Sequence, residues 1–64
     1  MILYRMAWQH ASSGGLSIGH GPESRNLTQT LIASVAFGNR NHGSGSHWIE
    51  RYENEAWTKL GEKP

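Results

Sequence analysis

The absence of cysteine from so short a chain is the feature that most limits how it can fold. The sequence has 64 residues, and a domain of that size buries only about 60% of the surface that its unfolded chain exposes. Small domains often compensate with disulfides or thiolate zinc sites, but a chain without thiols can form neither. Aromatic packing or self-association is then the expected reinforcement. The three tryptophans, Trp8, Trp48 and Trp57, fit that need, because each large aromatic side chain can bury about 150–250 Å².

The charge balance argues against a protein that holds duplex nucleic acid by its phosphates. The chain carries six Lys and Arg against five Asp and Glu, and its basic residues form no dense run. Binding driven by phosphate contacts normally requires such a run. No apolar stretch approaches the roughly 20 residues of a membrane span, and the first residues lack the pattern of a signal peptide. We therefore expect a cytoplasmic protein.

The first third of the chain has the pattern of a β-hairpin. Residues 2–9 alternate with a period of two, which is typical of a half-buried strand. Residues 11–15 supply turn chemistry, since glycine accepts positive φ at no steric cost. Residues 16–20 then resume the alternation. The residues of this second strand that share a face are Leu16, Ile18 and His20.

A helix is expected after this hairpin. Pro22 presets φ for a helix start, and Ser24 or Asn26 can cap it. Gly38 is a plausible C-terminal stop, because glycine is favoured just past a helix end. The pattern therefore predicts a helix over residues 26–37. The apolar residues that recur there at helical spacing, and that we expect to form its core face, are Leu27, Leu31 and Val35.

The predicted helix is almost free of charge. No Asp, Glu, Lys or Arg lies between Asn26 and Phe37, whereas a solvated helix face normally carries such residues. We therefore expect a partner to cover part of its outer side. The residues of that outer side are Thr28, Gln29, Thr30 and Ser34.

A second hairpin follows a flexible loop at residues 41–46. Residues 47–53 and 55–60 have strand character on either side of Asn54. A two-residue turn at Asn54-Glu55 would pair opposite charges, two aromatic rings and two aliphatic side chains. A three-residue loop stays open as an alternative, because glycine is preferred after asparagine in the tighter turn. The pairs in the two-residue register are Glu50 with Lys59, Tyr52 with Trp57, and Ile49 with Leu60.

These elements predict an α+β fold of order ββαββ. We expect a small antiparallel sheet with one helix packed across one face, in a single domain over residues 1–60. Residues 61–64 are expected to form a frayed C-terminal tail. No internal repeat is visible in the sequence.

No constellation of residues predicts catalysis or a bound metal. His20, His42 and His47 could meet in space, but they lack helical ligand spacing and have neither cysteine nor paired carboxylates nearby. Surface or structural histidines are the favoured interpretation. The glycines around His20 favour a tight strand-to-helix turn over a phosphate loop, which requires a Lys and a Ser or Thr at fixed spacing. We expect neither enzyme activity nor a cofactor, since the chain also lacks a nucleophile-elbow sequence.

The aromatic residues admit two interpretations. At alternating strand positions they are more often core or dimer contacts, but they could also form a stacking platform for single-stranded nucleic acid. Arg5, Arg51 and Lys59 would then flank the platform. The aromatic residues concerned are Tyr4, Trp8, Trp48, Tyr52 and Trp57.

Three short segments resemble very short proteins of bacteriophages and mobile elements. They are Tyr4-Arg5 in the first strand, Gly19-His20-Gly21-Pro22 before the helix, and His47-Trp48-Ile49-Glu50 at the start of the next strand. Together they are similar to a GHG…HWIE pattern, although the helix here lacks the charged composition of that group. The resemblance implies a small accessory protein that acts by binding, in the cytoplasm of the host cell if it is phage-encoded.

We expect a non-enzymatic binding protein that acts as a homo-oligomer. By the resemblance it would inhibit a host or defence protein or sequester a small ligand, while surplus aromatic and uncharged surface indicates self-association. Single-stranded nucleic-acid binding on an aromatic sheet face is the alternative, and no membrane partner is expected. The predicted binding residues, mostly of types enriched at protein interfaces, are Trp8, His20, Trp48, Arg51, Tyr52 and Trp57.

Overall fold

The computed structural model describes residues 1–60, which form four strands and one helix. In chain order the elements are β1 (Leu3–Ser12), β2 (Gly15–His20), α1 (Gln29–His42), β3 (His47–Glu53) and β4 (Ala56–Lys59). The strands form one antiparallel sheet in the order β2-β1-β3-β4. The predicted α+β fold of order ββαββ is confirmed, and the predicted tail at residues 61–64 lies outside the described residues.

The helix crosses the sheet because of the strand order. β2 and β3 both pair with β1 in antiparallel fashion, so they run parallel to each other on its two sides. Parallel strands require a crossover connection, usually a helix, rather than a tight hairpin. The segment from β2 to β3 therefore carries α1 over one face, where it contacts β1 and β3.

The first hairpin has a longer strand and a tighter turn than predicted. β1 extends to Ser12 instead of ending at residue 9, because Ala11 pairs with Leu16 and Ser12 pairs with Gly15. The turn is confined to residues 13 and 14. Gly15 opens β2 at φ 112°, a conformation that glycine adopts without steric penalty.

The helix begins three residues later than predicted, with a different cap. Thr28 is the N-cap, and its hydroxyl oxygen accepts a 3.1 Å hydrogen bond from the backbone N–H of Leu31. Ser24, one of the predicted caps, instead exchanges two backbone hydrogen bonds of 2.7 Å with Tyr4. This bridge keeps the chain extended beside β1, so the helix cannot start until the chain has left the sheet.

The helix also continues past the predicted stop. It ends at His42 and is capped by Gly43 at φ 111°. Gly38, predicted as the stop, is a buried residue in the last turns of α1. A Cβ at Gly38 would collide with the imidazole ring of His47. This glycine therefore serves the close approach of helix and sheet rather than helix termination.

The exposed side of α1 agrees only in part with the predicted one, in that Thr28, Gln29 and Thr30 are exposed. Ser34, predicted on the outer side, is half-buried and lines a cleft with Met6 of β1. Leu27, predicted in the core, precedes the helix and is exposed, as are Ile32 and Phe37. The outer surface of the helix is thus more apolar than the sequence pattern indicated.

The second hairpin has the predicted register and the two-residue turn. Asn54 and Glu55 both have positive φ, 55° and 61°, which is the geometry of a type I′ turn. The predicted pairs Glu50 with Lys59 and Tyr52 with Trp57 are confirmed, and the backbone N–H of Leu60 donates to the carbonyl of Ile49 at 2.8 Å. β4 is one residue shorter at each end than the predicted 55–60.

Side chains alternate between the two faces of the sheet along each strand. Met6 and His47 line a cleft together with α1, so the residues two positions away from them along β1 and β3 also face the helix. We call the opposite side the open face, because α1, the one helix of the described residues, does not lie over it. The helix-side residues are Tyr4, Met6, Trp8, His47, Ile49 and Arg51. The open face carries Arg5, Ala7, His20, Trp48, Glu50, Tyr52, Trp57 and Lys59.

The core of the described residues is very small. Ala7 is the single hydrophobic residue among them that is fully buried. Several large apolar side chains remain exposed, among them Leu16 at 73%, Phe37 at 67% and Ile18 at 61% of their accessible surface. A chain that hides so little apolar surface by itself has surplus surface for contact with another molecule.

Candidate functional site

The open face is organised around one row of charged residues. Arg5, Glu50 and Lys59 are direct neighbours across β1, β3 and β4. The flanking rows, two residues along the strands on either side, supply aromatic rings. One row contains His20, Ala7 and Trp48, and the other contains Leu3, Tyr52 and Trp57.

Glu50 is the centre of this arrangement. Its Oε1 accepts a 2.8 Å hydrogen bond from Nε of Arg5, and its Oε2 accepts one of 3.1 Å from Nε1 of Trp48. The Nε2 atom of His20 lies 3.7 Å from Oε1. The side chains of Arg5 and Glu50 are each 16% exposed, so this ion pair is well shielded from water.

The surroundings of Glu50 stabilise its charged form. Burial opposes ionisation, but the hydrogen bonds from Trp48 and Arg5, with the charges of Arg5 and His20, outweigh it and lower the pKa of Glu50 below its ordinary value. The carboxylate is therefore negative at neutral pH. It acts as a fixed anchor for the side chains around it.

Both cations of the charged row lie over indole rings. The Cζ atom of Arg5 is 3.8 Å from the ring centroid of Trp57, and Nζ of Lys59 is 4.6 Å from that of Trp48. Both distances are within the range of cation–π attraction. Tyr52 packs against Trp57 with ring centroids 5.2 Å apart and an interplanar angle of 53°. The three rings are half-buried, so part of each faces solvent.

The structure divides the six predicted binding residues between the two faces. Trp8 stacks on His47 on the helix side, with ring centroids 6.1 Å apart, and Arg51 of that face lies 3.3 Å from a carboxylate oxygen of Glu53. These two do not share a surface with the others. The four that the sheet brings together on the open face are His20, Trp48, Tyr52 and Trp57.

The residues that organise this face were not among the predicted binding residues. Arg5 and Lys59 were expected to flank a possible stacking platform, and Glu50 was expected to pair with Lys59 across two strands. The available signal was the strand period: Arg5, Glu50 and Lys59 fall in one row once β1 is placed beside β3. That placement joins strands about 45 residues apart, which local patterns do not specify.

A second cluster of rings lies on the helix side, at the end of α1. His42 stacks on His47 with ring centroids 5.6 Å apart, and the Ser46 hydroxyl is 2.8 Å from Nδ1 of His47. Asn39 accepts a 2.8 Å hydrogen bond from the backbone N–H of His47. Within residues 1–60, no three His, Asp or Glu side chains are grouped so that they could hold a metal ion. The expectation of a protein without metal or cofactor stays a prediction.

The segments that carry the resemblance to phage and mobile-element proteins meet at Glu50. Arg5 comes from the first segment, His20 from the glycine-flanked second one, and Trp48 and Glu50 from the third. These residues are far apart in the sequence but adjacent on the open face. Comparison of the chain with protein-family models, with curated proteins and with solved structures finds no match, so the resemblance stays a prediction.

Proposed function

We propose that this chain is a small, non-enzymatic binding protein whose binding surface is the open face of the sheet. The observation that carries the proposal is the set of partly exposed rings of Trp48, Tyr52 and Trp57 on a side that α1 does not cover. Tryptophan, tyrosine and arginine are the residue types that most often dominate binding energy at interfaces. The open face combines all three with Arg5.

The open face is also ordered before any partner arrives. Arg5 is fixed by Glu50 on one side and by Trp57 on the other, and the Trp48 indole is fixed by Glu50 and Lys59. Immobilising a flexible side chain on binding costs about 0.5–1.5 kcal/mol. Residues that are already held in place avoid much of that cost, so their contact energy goes into affinity.

Self-association is the second part of the proposal. Exposed apolar side chains occur on both sides of the molecule, with Leu16 and Ile18 on β2 and Phe37 on α1. A chain of 64 residues without disulfides has little other means of hiding such surface. We propose that the working form is a homo-oligomer in the cytoplasm, and that binding serves to block a host or defence protein or to capture a ligand. No helix among the described residues has the length and apolar character required to cross a membrane.

An affinity-capture experiment with matched charge variants tests the binding surface. Lys59→Glu reverses an exposed charge on the open face, and Arg40→Glu reverses one on α1. We expect material captured from a cell lysate by the wild type to be lost with Lys59→Glu and retained with Arg40→Glu. Equal capture by both variants, or by neither under conditions where the wild type captures, would show that the open face is not the binding surface.

A further inference from the structure

We propose that the partner of the open face is single-stranded nucleic acid, with phosphates bound by Arg5 and Lys59 and bases stacked on the neighbouring rings. This inference rests on the proposed function, because it assumes that the open face is the binding surface. It names the class of partner, which the proposed function leaves open.

The charged row of the open face has a net positive charge. Arg5 and Lys59 carry two positive charges, whereas Glu50 supplies the single negative charge among the open-face residues. Glu50 already accepts hydrogen bonds from Arg5 and Trp48. Its negative charge is therefore largely neutralised inside the cluster. The exposed charge of Lys59, and that of His20 when it is protonated, then makes the surface attractive to an anion.

The guanidinium of Arg5 is held in place by two contacts. Glu50 engages the guanidinium through Nε, and Trp57 lies under its Cζ atom. The two Nη groups form the opposite edge of the guanidinium fork, and neither makes a hydrogen bond or an ion pair within residues 1–60. The Nη edge of a fixed guanidinium can donate two parallel hydrogen bonds to two oxygens of one phosphate.

Aromatic rings lie in the rows on both sides of these cations. Trp48 lies in the row on one side of the charged row, and Tyr52 and Trp57 lie in the row on the other side. Rows two residues apart on a strand are separated by about 7 Å. Sheet-based proteins bind single strands by combining a positively charged surface with rings or guanidinium planes on which bases stack. Arg5 lies over the ring of Trp57 and Lys59 over that of Trp48, so bases would stack on the guanidinium or on the ring surface that remains.

The observations favour a single strand over a duplex or an acidic peptide. A duplex is read by a helix or a two-stranded ribbon that enters a groove, whereas the cations and rings of the open face lie across three paired strands, β1, β3 and β4. An acidic peptide would use the cations, but it would not require the rings on both sides of them. Binding is expected to be weak, since the chain has a net charge of only +1.

The charge of the open face predicts how strongly binding depends on salt concentration. For a single strand, the slope of log K against log salt concentration is about −0.7 per phosphate neutralised. Arg5 is already paired with Glu50, so Lys59 is the one net cation among Arg5, Glu50 and Lys59, and it predicts a slope of about −0.7. Removing Lys59 is expected to bring the slope close to zero.

Fluorescence titration of the tryptophans with oligodeoxythymidine tests these values. We expect quenching at low salt, a slope near that for one phosphate in the wild type, and a slope close to zero for Lys59→Gln. The matched control is Arg40→Gln, which removes an exposed charge from α1 instead of from the open face and is expected to leave the slope unchanged. Trp48→Ala is expected to lower affinity about 5-fold to 100-fold through loss of stacking. Trp48→Phe, which keeps a ring, is expected to retain most of the affinity and to show that the fold survives the change.

Three results would overturn the inference. They are absence of quenching at low salt, a salt slope that Lys59→Gln does not change, and equally good binding of polyglutamate, which would identify an acidic peptide as the partner. If any of these occurs while capture from lysate still depends on Lys59, the inference fails and the proposed function stands. If capture is also independent of Lys59, both fail.

Discussion

At the scale of single residues, two glycines allow aromatic rings to lie against the backbone. A Cβ at Gly19 would collide with the indole of Trp8, and one at Gly38 would collide with the imidazole of His47. Trp8 and His47 stack on each other, so the two glycines accommodate opposite ends of one aromatic pair. Glycine at position 38 was predicted to end the helix because glycine is common just past helix ends. The contact that requires it comes from β3, which no pattern around residue 38 indicates.

Gly38→Ala is expected to reverse the usual effect of that substitution. In an exposed helix interior, alanine is more stable than glycine by about 1 kcal/mol. Here the new methyl group overlaps the ring of His47, and overpacking typically costs about 1–3 kcal/mol. We expect a net loss of up to about 2 kcal/mol in the free energy of unfolding, measured by urea denaturation. In a His47→Ala background the same change should instead stabilise the fold, and a loss of equal size there would contradict the explanation.

Acid is expected to remove the contribution of the Glu50 charge to the stability of the fold. The pKa of Glu50 is lowered in the folded state, so its charge stabilises the fold at pH values above the ordinary pKa of 4.5. That contribution is lost as the pH falls below 4.5 and through the lower folded-state pKa. Glu50→Gln is expected to be less stable than the wild type at neutral pH, because it loses charge-assisted hydrogen bonds from Arg5 and Trp48.

Urea midpoints measured for both proteins from neutral to strongly acidic pH check this expectation. The other carboxylates are shared, so the difference between the two midpoints isolates Glu50. The difference should be constant above pH 4.5 and should shrink below it. A difference that does not change with pH would mean that Glu50 stabilises the fold by packing alone.

At the scale of elements, local signals succeeded where the contact partners are close in the sequence. The β3–β4 register followed from three compatible side-chain pairs around Asn54, and the structure has that register. The start of α1 failed for the opposite reason. Ser24 has the chemistry of an N-cap, but its backbone pairs with Tyr4, some 20 residues earlier, and this long-range bridge overrides its local preference.

The β3–β4 turn leads to a stabilising substitution. Glu55 has φ 61°, in the left-handed region that costs a residue with a side chain about 1–2 kcal/mol. Glycine avoids this cost but loses about 0.5–1 kcal/mol of conformational entropy. Glu55→Gly is therefore expected to raise the free energy of unfolding by up to about 1.5 kcal/mol in urea denaturation. Glu55→Ala removes the same charge without relieving the backbone, so an equal gain from it would assign the effect to charge.

At the scale of the whole molecule, the sequence did not specify which aromatic residues share a surface. Trp8 and Trp48 both occupy alternating strand positions, and either could have faced the helix. Which aromatic residues lie on the open face is determined by the side of the sheet that α1 covers. That side depends on the crossover between β2 and β3. The predicted binding residues are therefore split, while the charged row that organises the open face became visible only with β1 beside β3.

The described chain buries little apolar surface, and we propose that its stability depends on association. Ala7 is the fully buried apolar residue of the described chain, while Leu16, Ile18 and Phe37 are mostly exposed. If association covers these residues, each tenfold increase in protein concentration should add about 1.4 kcal/mol to the stability of a dimer. The thermal midpoint, measured by circular dichroism over several decades of concentration, should then rise by several degrees. Sedimentation should show the assembled form at the highest protein concentrations.

Ile18→Asp and Phe37→Asp place a charge on β2 and on α1 respectively, so the variant that abolishes the concentration dependence identifies the contact. A midpoint independent of concentration in the wild type would mean that this small core is sufficient by itself, and self-association would have to be abandoned.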